Sequence, residues 1–533
     1  MLNAYRRWLN NSSGNFAIVA SVLAVPLVLA AGVMIDLASI ARSQAELQNA
    51  MDAAVLAVAR EGENLSDKQA AAIARDFLAS NYELSFADLR VIRKGTAVTI
   101  DANAKVDMAF GGLLGYSDWT VGAVSTADIA YASYEVALVL DTTGSMAGGK
   151  LTSMKDAVDG MIESMSAQIQ NKDKLKFSLV PFATFVNVGP EHGPDFDKHG
   201  RQIKGTGAPW LDLEGKADIP QPDLVPGVSR FQVQNHLGRK WKGCVETRMR
   251  NGGKDYDIDD TAAAQSKPET LYIPTFASDE DDAGGYSNNY IDDPLAALGA
   301  LGKTPAGLAK KLTKYGIPVN ALGEPIALGL WKKVNIDGGP SRFPGFSKGP
   351  GFFCETQPIT PLTNDYNGVR AKVKALEAKG NTNIMEGVAW GNRVLSPGEP
   401  FGQGQPESKA GVEKIMIVLT DGSNTMGVTG TKLGSEYSSF GYLADGRLGP
   451  LPASGAATNT AMNERTLAAC THAKGAGIEI YTIRLEEPDV KTGSMLQECA
   501  TSADHYFDAP SRSQLDEVFE EIRERVVRLR LAS

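Results

Sequence analysis

Three short segments carry oxygen-bearing side chains at spacings that could hold a hard cation. They are DTTGS at Asp141–Ser145, GNTN at Gly380–Asn383 and LTDGS at Leu419–Ser423. Asp141 offers a carboxylate, and Thr143 and Ser145 offer two hydroxyls from one turn. Thr382 offers a third hydroxyl, and Asp421 a second carboxylate, directly or through water. This set suits Mg2+, or Mn2+ or Ca2+ in its place, because hard ions take oxygen ligands and Mg2+ keeps several of its waters. Few charges among many neutral oxygens leave such an ion electrophilic. Its open position would attract a carboxylate from a partner protein.

Rival chemistries fit less well. GSMAGGKL at Gly144–Leu151 approaches a phosphate-binding loop, but Leu151 stands where a hydroxyl is needed and Asp141 would repel phosphate. The G-x-S-x-G pattern at Gly345–Gly349 follows no apolar strand and opens no helical run, so it does not read as a nucleophile elbow. His192, His199, His236, His472 and His505 lack zinc-site spacing, and no two cysteines form C-x-x-C. A binding protein is therefore expected rather than an enzyme, with an envelope metal-dependent enzyme as the alternative. The stretch Ser278–Asp293 bunches Asp279, Glu280, Asp281, Asp282, Asp292 and Asp293. Its composition suits calcium, but its spacing is not that of an EF-hand, and a solvated acidic loop is the expectation.

The site segments need rigid elements behind them. DTTGS and LTDGS end the apolar runs YEVALVLD and EKIMIVLTD, which read as strands covered on both faces. KFSLVPFATFVNV and IEIYTIRL are further strands. Helical spacing marks KLTSMKDAVDGMIESMSAQ, NERTLAACTHAKGAG and SQLDEVFEEIRERVVRLRL. YNGVRAKVKALEAKG reads as a helix ending at Gly380. Alternating strands and helices predict an α/β fold with a doubly wound, mostly parallel sheet. Ligands bind such sheets beyond the carboxyl ends of the strands, where the connections diverge. From 190 to 357 this rhythm stops, and an insertion with a small fold of its own is expected.

From Phe16 to Ile35 the chain has no charge and is long enough to cross a bilayer as a helix. Arg6 and Arg7 precede the run and Asp36 follows it, so the N-terminus should stay in the cytoplasm and the bulk should be exported. A cleaved signal peptide is the alternative, but its apolar core is usually shorter. Good helix formers follow the run, so the helix should continue out of the membrane. Residues 65–132 read as a small α+β piece, with a period-two strand through Val98, Ile100, Ala102, Ala104, Val106 and Met108. Outside the cytoplasm the four cysteines can pair in three ways. Cys244 with Cys354 and Cys470 with Cys499 are favoured, with buried free thiols as the alternative for the second pair. A length of 533 residues implies two or three domains, and a net charge of −10 gives no footprint for nucleic acid.

Together, D-x-[ST]-x-S, the later threonine in G-x-T-N and the later T-D-G resemble the metal-ion-dependent adhesion site (MIDAS) of the von Willebrand factor A family. The resemblance covers 133–189 and 358–530, and departs at Thr143, where serine is frequent but the hydroxyl is kept. The N-terminal run is similar to the TadE/TadG-like Flp pilus-assembly family of bacteria, through Gly14, Asp36, Gln44, Leu47, Gln48, Ala50, Asp52, Ala53, Ala54, Leu56 and Ala57. That similarity implies a cytoplasmic N-terminus at 1–14, a transmembrane helix at 15–38 and a TadE/pilin-like region at 39–132. It also implies a single-pass protein of the bacterial inner membrane, mostly periplasmic, with pilus-assembly or other envelope components as partners. The implied function is Flp/Tad pilus assembly or adhesion. A metal-dependent adhesin or receptor unrelated to pili is the rival.

Overall fold

The computed structural model describes residues 15–61, 66–94, 97–128, 133–169, 171–280, 286–292, 307, 309, 311–322, 324–409, 411–449 and 454–527. Arg6, Arg7, Gly14, Asp281, Asp282 and Asp293 lie outside them. The chain divides into two compact units, one within Met1–Tyr131 and one within Ala132–Arg528.

The first unit opens with helix α1, Asn15–Glu61, which carries Pro26 inside it. Its apolar first half is exposed and long enough to cross a membrane. Its second half buries Leu47, Ala50, Met51, Ala54, Val55 and Val58, a stripe at helical spacing. Helix α2, Asp67–Asn81, begins at a capping box in which Ser66 and Gln69 satisfy each other's backbone N–H. Strands β1 (Phe86–Lys94), β2 (Ala97–Asp107) and β3 (Asp118–Asp128) form an antiparallel sheet in that order. One face of β2, Val98 to Val106 at every second residue, joins the buried stripe of α1 in a single core.

The second unit is built on six strands: β4 (Ser133–Asp141), β5 (Leu175–Phe182), β6 (Thr360–Thr363), β7 (Val412–Thr420), β8 (Glu479–Leu485) and β9 (Tyr506–Ala509). Their order is β6-β5-β4-β7-β8-β9. The sheet is mixed: β6 runs antiparallel to β5, and the other four neighbouring pairs are parallel. Helices α3 (Gly149–Gln168), α4 (Tyr366–Lys374) and α8 (Leu515–Val527) share one core with Leu138, Leu140, Ile417 and Leu419. Helices α5 (Ile384–Leu395), α6 (Gly455–Gly475) and α7 (Val490–Cys499) share the other with Val139, Phe182, Met416 and Val418. Successive residues of β4 and β7 thus face opposite cores, which is why both strands read as unbroken apolar runs.

Helix α4 ends at Lys374, short of the expected Gly380. The Lys379 N–H donates to the Thr142 carbonyl at 2.7 Å, and Gly380 takes a φ of 89°. The segment before Thr382 is therefore spent crossing the strand ends, which a continuing helix could not do. Within residues 190–357, Trp210, Phe231, Trp241 and Tyr272 enter the core beneath α5, Phe276, Tyr290, Tyr315 and their neighbours make a second cluster, and Phe346, Phe352 and Phe353 make a third with Phe185, Tyr437 and Tyr442. Asp279 and Glu280 are buried rather than solvated. Asp279 accepts from the Tyr290 and Ile291 N–H groups, and Glu280 from Asn288, so these acids close a turn. Disulfides join Cys244 to Cys354 and Cys470 to Cys499, with Cα–Cα distances of 5.8 and 5.2 Å.

Candidate functional site

Parallel neighbours β4 and β7 run in register, with Leu140 opposite Leu419. Asp141 and Asp421 therefore leave the sheet side by side. From β4 the chain passes through α3 to β5, and from β7 through α6 to β8 on the other side. The connections diverge between these two strands, which opens a crevice above their carboxyl ends.

Asp141 is fully buried. Its Oδ1 accepts from the Thr143 N–H at 2.8 Å and its Oδ2 from the Thr420 hydroxyl at 2.6 Å. Burial, then the charge of Asp421, pushes its pKa up from 3.8 to about 6. Thr143 Oγ1 lies 3.0 Å from Ser145 Oγ, and Ser145 Oγ donates to Asp421 Oδ1 at 2.6 Å. The other Asp421 oxygen meets Lys150 Nζ at 2.7 Å, and that side chain of Asp421 is wholly buried.

The third segment arrives by backbone bonds. Gly144 N–H donates to the Gly380 carbonyl at 3.0 Å, and Thr425 N–H to the Thr382 carbonyl at 2.8 Å. Asn383 caps α5 through its side chain, and Asn424 Oδ1 accepts the Ile384 N–H at 2.8 Å. These ties clamp the Thr382 loop between the other two. Gly422 marks how closely they meet: a Cβ there would stand 3.4 Å from Thr382 Oγ1, 3.6 Å from Ser145 Oγ and 3.9 Å from Glu487 Oε2. The structure thus brings Asp141, Thr143, Ser145, Thr382 and Asp421 to one place.

The donor set is all oxygen, two carboxylates and three hydroxyls, the ligand type that hard cations take. Two buried carboxylates stand close together, and among the described residues the cation paired with them is Lys150, on Asp421 alone. The partners of Asp141 are neutral. A further positive charge at the hydroxyls would offset its cost of burial. Among the described residues no cluster of three or more His, Cys, Asp or Glu could hold a metal, so the hydroxyls are indispensable to any such site. Thr420, Lys150 and Glu487 were not singled out by sequence. Thr420 was legible as the residue before the aspartate. Lys150 appeared only as the lysine of a phosphate-loop mimic.

Fold and site define an α/β domain with an acidic, hydroxyl-rich cluster at its strand ends, in a chain that also carries a long apolar helix. Residues 14–61 match the Tad family model, Flp pilus-assembly TadE/G-like. No curated protein matches the chain. Among solved structures, the pilus adhesin SpaC from Lactobacillus rhamnosus GG aligns at 11% identity and a TM-score of 0.32, over 82% of this chain and 34% of that one. The chain thus spans about a third of the length of SpaC. The vWF domain of the type V pili tip protein Mfa5 from Porphyromonas gingivalis aligns at 10% identity and a TM-score of 0.31, over 75% of this chain and 98% of that one. The adhesive tip pilin GBS104 from Group B Streptococcus agalactiae aligns at 12% and 0.33, over 74% and 100%. Overlaps of this extent do not define a shared function.

Proposed function

We propose that this is a membrane-anchored envelope protein whose second unit is a von Willebrand A-type domain, binding a protein ligand through a divalent metal in Flp/Tad pilus assembly or adhesion. Asp141, Thr143, Ser145, Thr382 and Asp421 would hold the ion, Mg2+ first and Mn2+ or Ca2+ in its place. When bound, the ion supplies a Lewis-acidic position open to a carboxylate of the partner. The observation that carries this reading is the meeting of three remote segments at the divergence point of β4 and β7. The TadE/G-like segment supports a pilus or envelope setting. The apolar first half of α1 supports a single membrane pass, and Arg6 and Arg7 before it would keep the N-terminus cytoplasmic and the bulk periplasmic.

Full-length protein immobilised from detergent should retain an envelope partner in Mg2+ and release it on chelation. The Asp421→Ala variant should retain none. Retention that is indifferent to both chelator and variant contradicts the proposal.

A further inference from the structure

The segment between β2 and β3 is tied to the point where α1 leaves its apolar run. Ala109, Phe110 and Gly111 donate their N–H groups to the Asp36 carboxylate at 2.9, 3.0 and 2.7 Å. Asp36 is 3% exposed and directly follows the uncharged residues 16–35. One turn earlier in the helix, Gly32 lies against the Phe110 ring, and a Cβ there would come within 2.6 Å of it. The ring therefore reaches back alongside the apolar run itself. The segment is built, not loose. Gly111–Leu114 form a 3-10 turn that Gly115 closes in the left-handed region, Tyr116 N–H returns to the Gly111 carbonyl, and Met108 N–H closes on Ser117.

From this pinned turn and the start of β3 three large side chains face outward: Leu113 is 71% exposed, Tyr116 61% and Trp119 51%. Trp119 shares a strand face with the buried Val121 and Ala123, yet is not covered. A bilayer core of about 30 Å takes about 20 helical residues, which places Asp36 at its edge. Tryptophan and tyrosine are favoured at that boundary, where an apolar ring meets lipid and a polar tip meets headgroups and water. Asp36 is the carboxylate that would stand there, and three backbone donors satisfy it without a counter-charge.

We propose that Phe110–Trp119 is a membrane-docking surface, seated in the interfacial lipid of the bilayer that α1 crosses. This rests on the reading of α1 as a membrane span. Docking would fix the tilt of the first unit against the lipid surface through two attachments, the helix and this turn, where a helix alone leaves it free to swing.

All four cysteines are disulfide-bonded, so one introduced cysteine is a unique thiol. Leu113→Cys, Val28→Cys and Thr126→Cys, each labelled with an environment-sensitive fluorophore, are placed as full-length protein in nanodiscs. The lipids carry spin-label quenchers either at the headgroup or deep in the acyl chain. Val28 should lose emission to the deep quencher. Leu113 should lose most to the headgroup quencher. Thr126 should lose none, because seven residues of strand, about 23 Å, separate it from Trp119. If Val28 is quenched while Leu113 behaves like Thr126, the docking surface is refuted and the span stands. An unquenched Val28 refutes the span and the docking surface with it.

Discussion

At Asp141 a carboxylate sits among neutral donors, and burial together with Asp421 raises its pKa to about 6. An acid whose folded value lies above its ordinary one makes the folded chain bind more protons than the unfolded chain. The metal-free form should therefore lose stability as pH climbs from about 4 to about 6 through this group. On the proposed reading a divalent cation would replace that proton and remove the cost. Saturating Mg2+ should accordingly raise the melting temperature more at about pH 7.5 than at about pH 5, where protons compete. An equal rise at both would show that Asp141 is not a ligand. Lys150, whose ammonium already pairs with Asp421, would oppose the same ion. Lys150→Met should tighten Mg2+ by about tenfold, or ~1.4 kcal/mol, read by calorimetric titration. The residues the structure brings together were legible because hydroxyls and carboxylates stand directly after the apolar strands at Asp141–Ser145 and Asp421, and in the GNTN turn at Thr382. Lys150 was not, because nothing in GSMAGGKL tells that the first turn of α3 carries its lysine back to the end of β7.

At the scale of elements, β4 and β7 were plain in the sequence because both their faces are apolar. Helix α5 was not: Ile384, Met385, Val388, Ala389 and Leu395 recur at helical spacing, but Gly387 and Gly391, both poor helix formers, interrupt the run, and all twelve of its residues are buried. Its glycines allow that burial, since a Cβ on Gly391 would stand 2.8 Å from Val139 and one on Gly387 2.7 Å from Phe182. The short strands β6 and β9 lie at the sheet edges and have too few residues to show alternation. The loop that delivers Thr382 turns on Gly380, where a Cβ would also meet Thr184 Oγ1 at 2.8 Å. Gly380→Ala should cost about 1–2 kcal/mol in urea unfolding. It should also weaken Mg2+ binding, because the Thr382 hydroxyl moves with the loop. Loss of stability with unchanged affinity would remove Thr382 from the ligand set.

For the whole molecule, the partition into an apolar helix and an α/β domain was readable from composition. The packing of 190–357 was not, because its aromatic residues are scattered without period and find their partners only in three dimensions. Trp210 and Tyr272, sixty-two residues apart in sequence, meet at 5.8 Å between ring centroids, and Tyr272 also meets Trp390 of α5 at 5.0 Å. The two disulfides are of the kind that form and persist in oxidising compartments.

Titration of Mg2+ into purified full-length protein, followed by heat, tests the central claim most directly. One saturable site per chain is predicted for the unaltered protein, and none for Asp141→Ala with its fold intact by circular dichroism. No heat from the unaltered protein, or the same isotherm from both, would contradict the account.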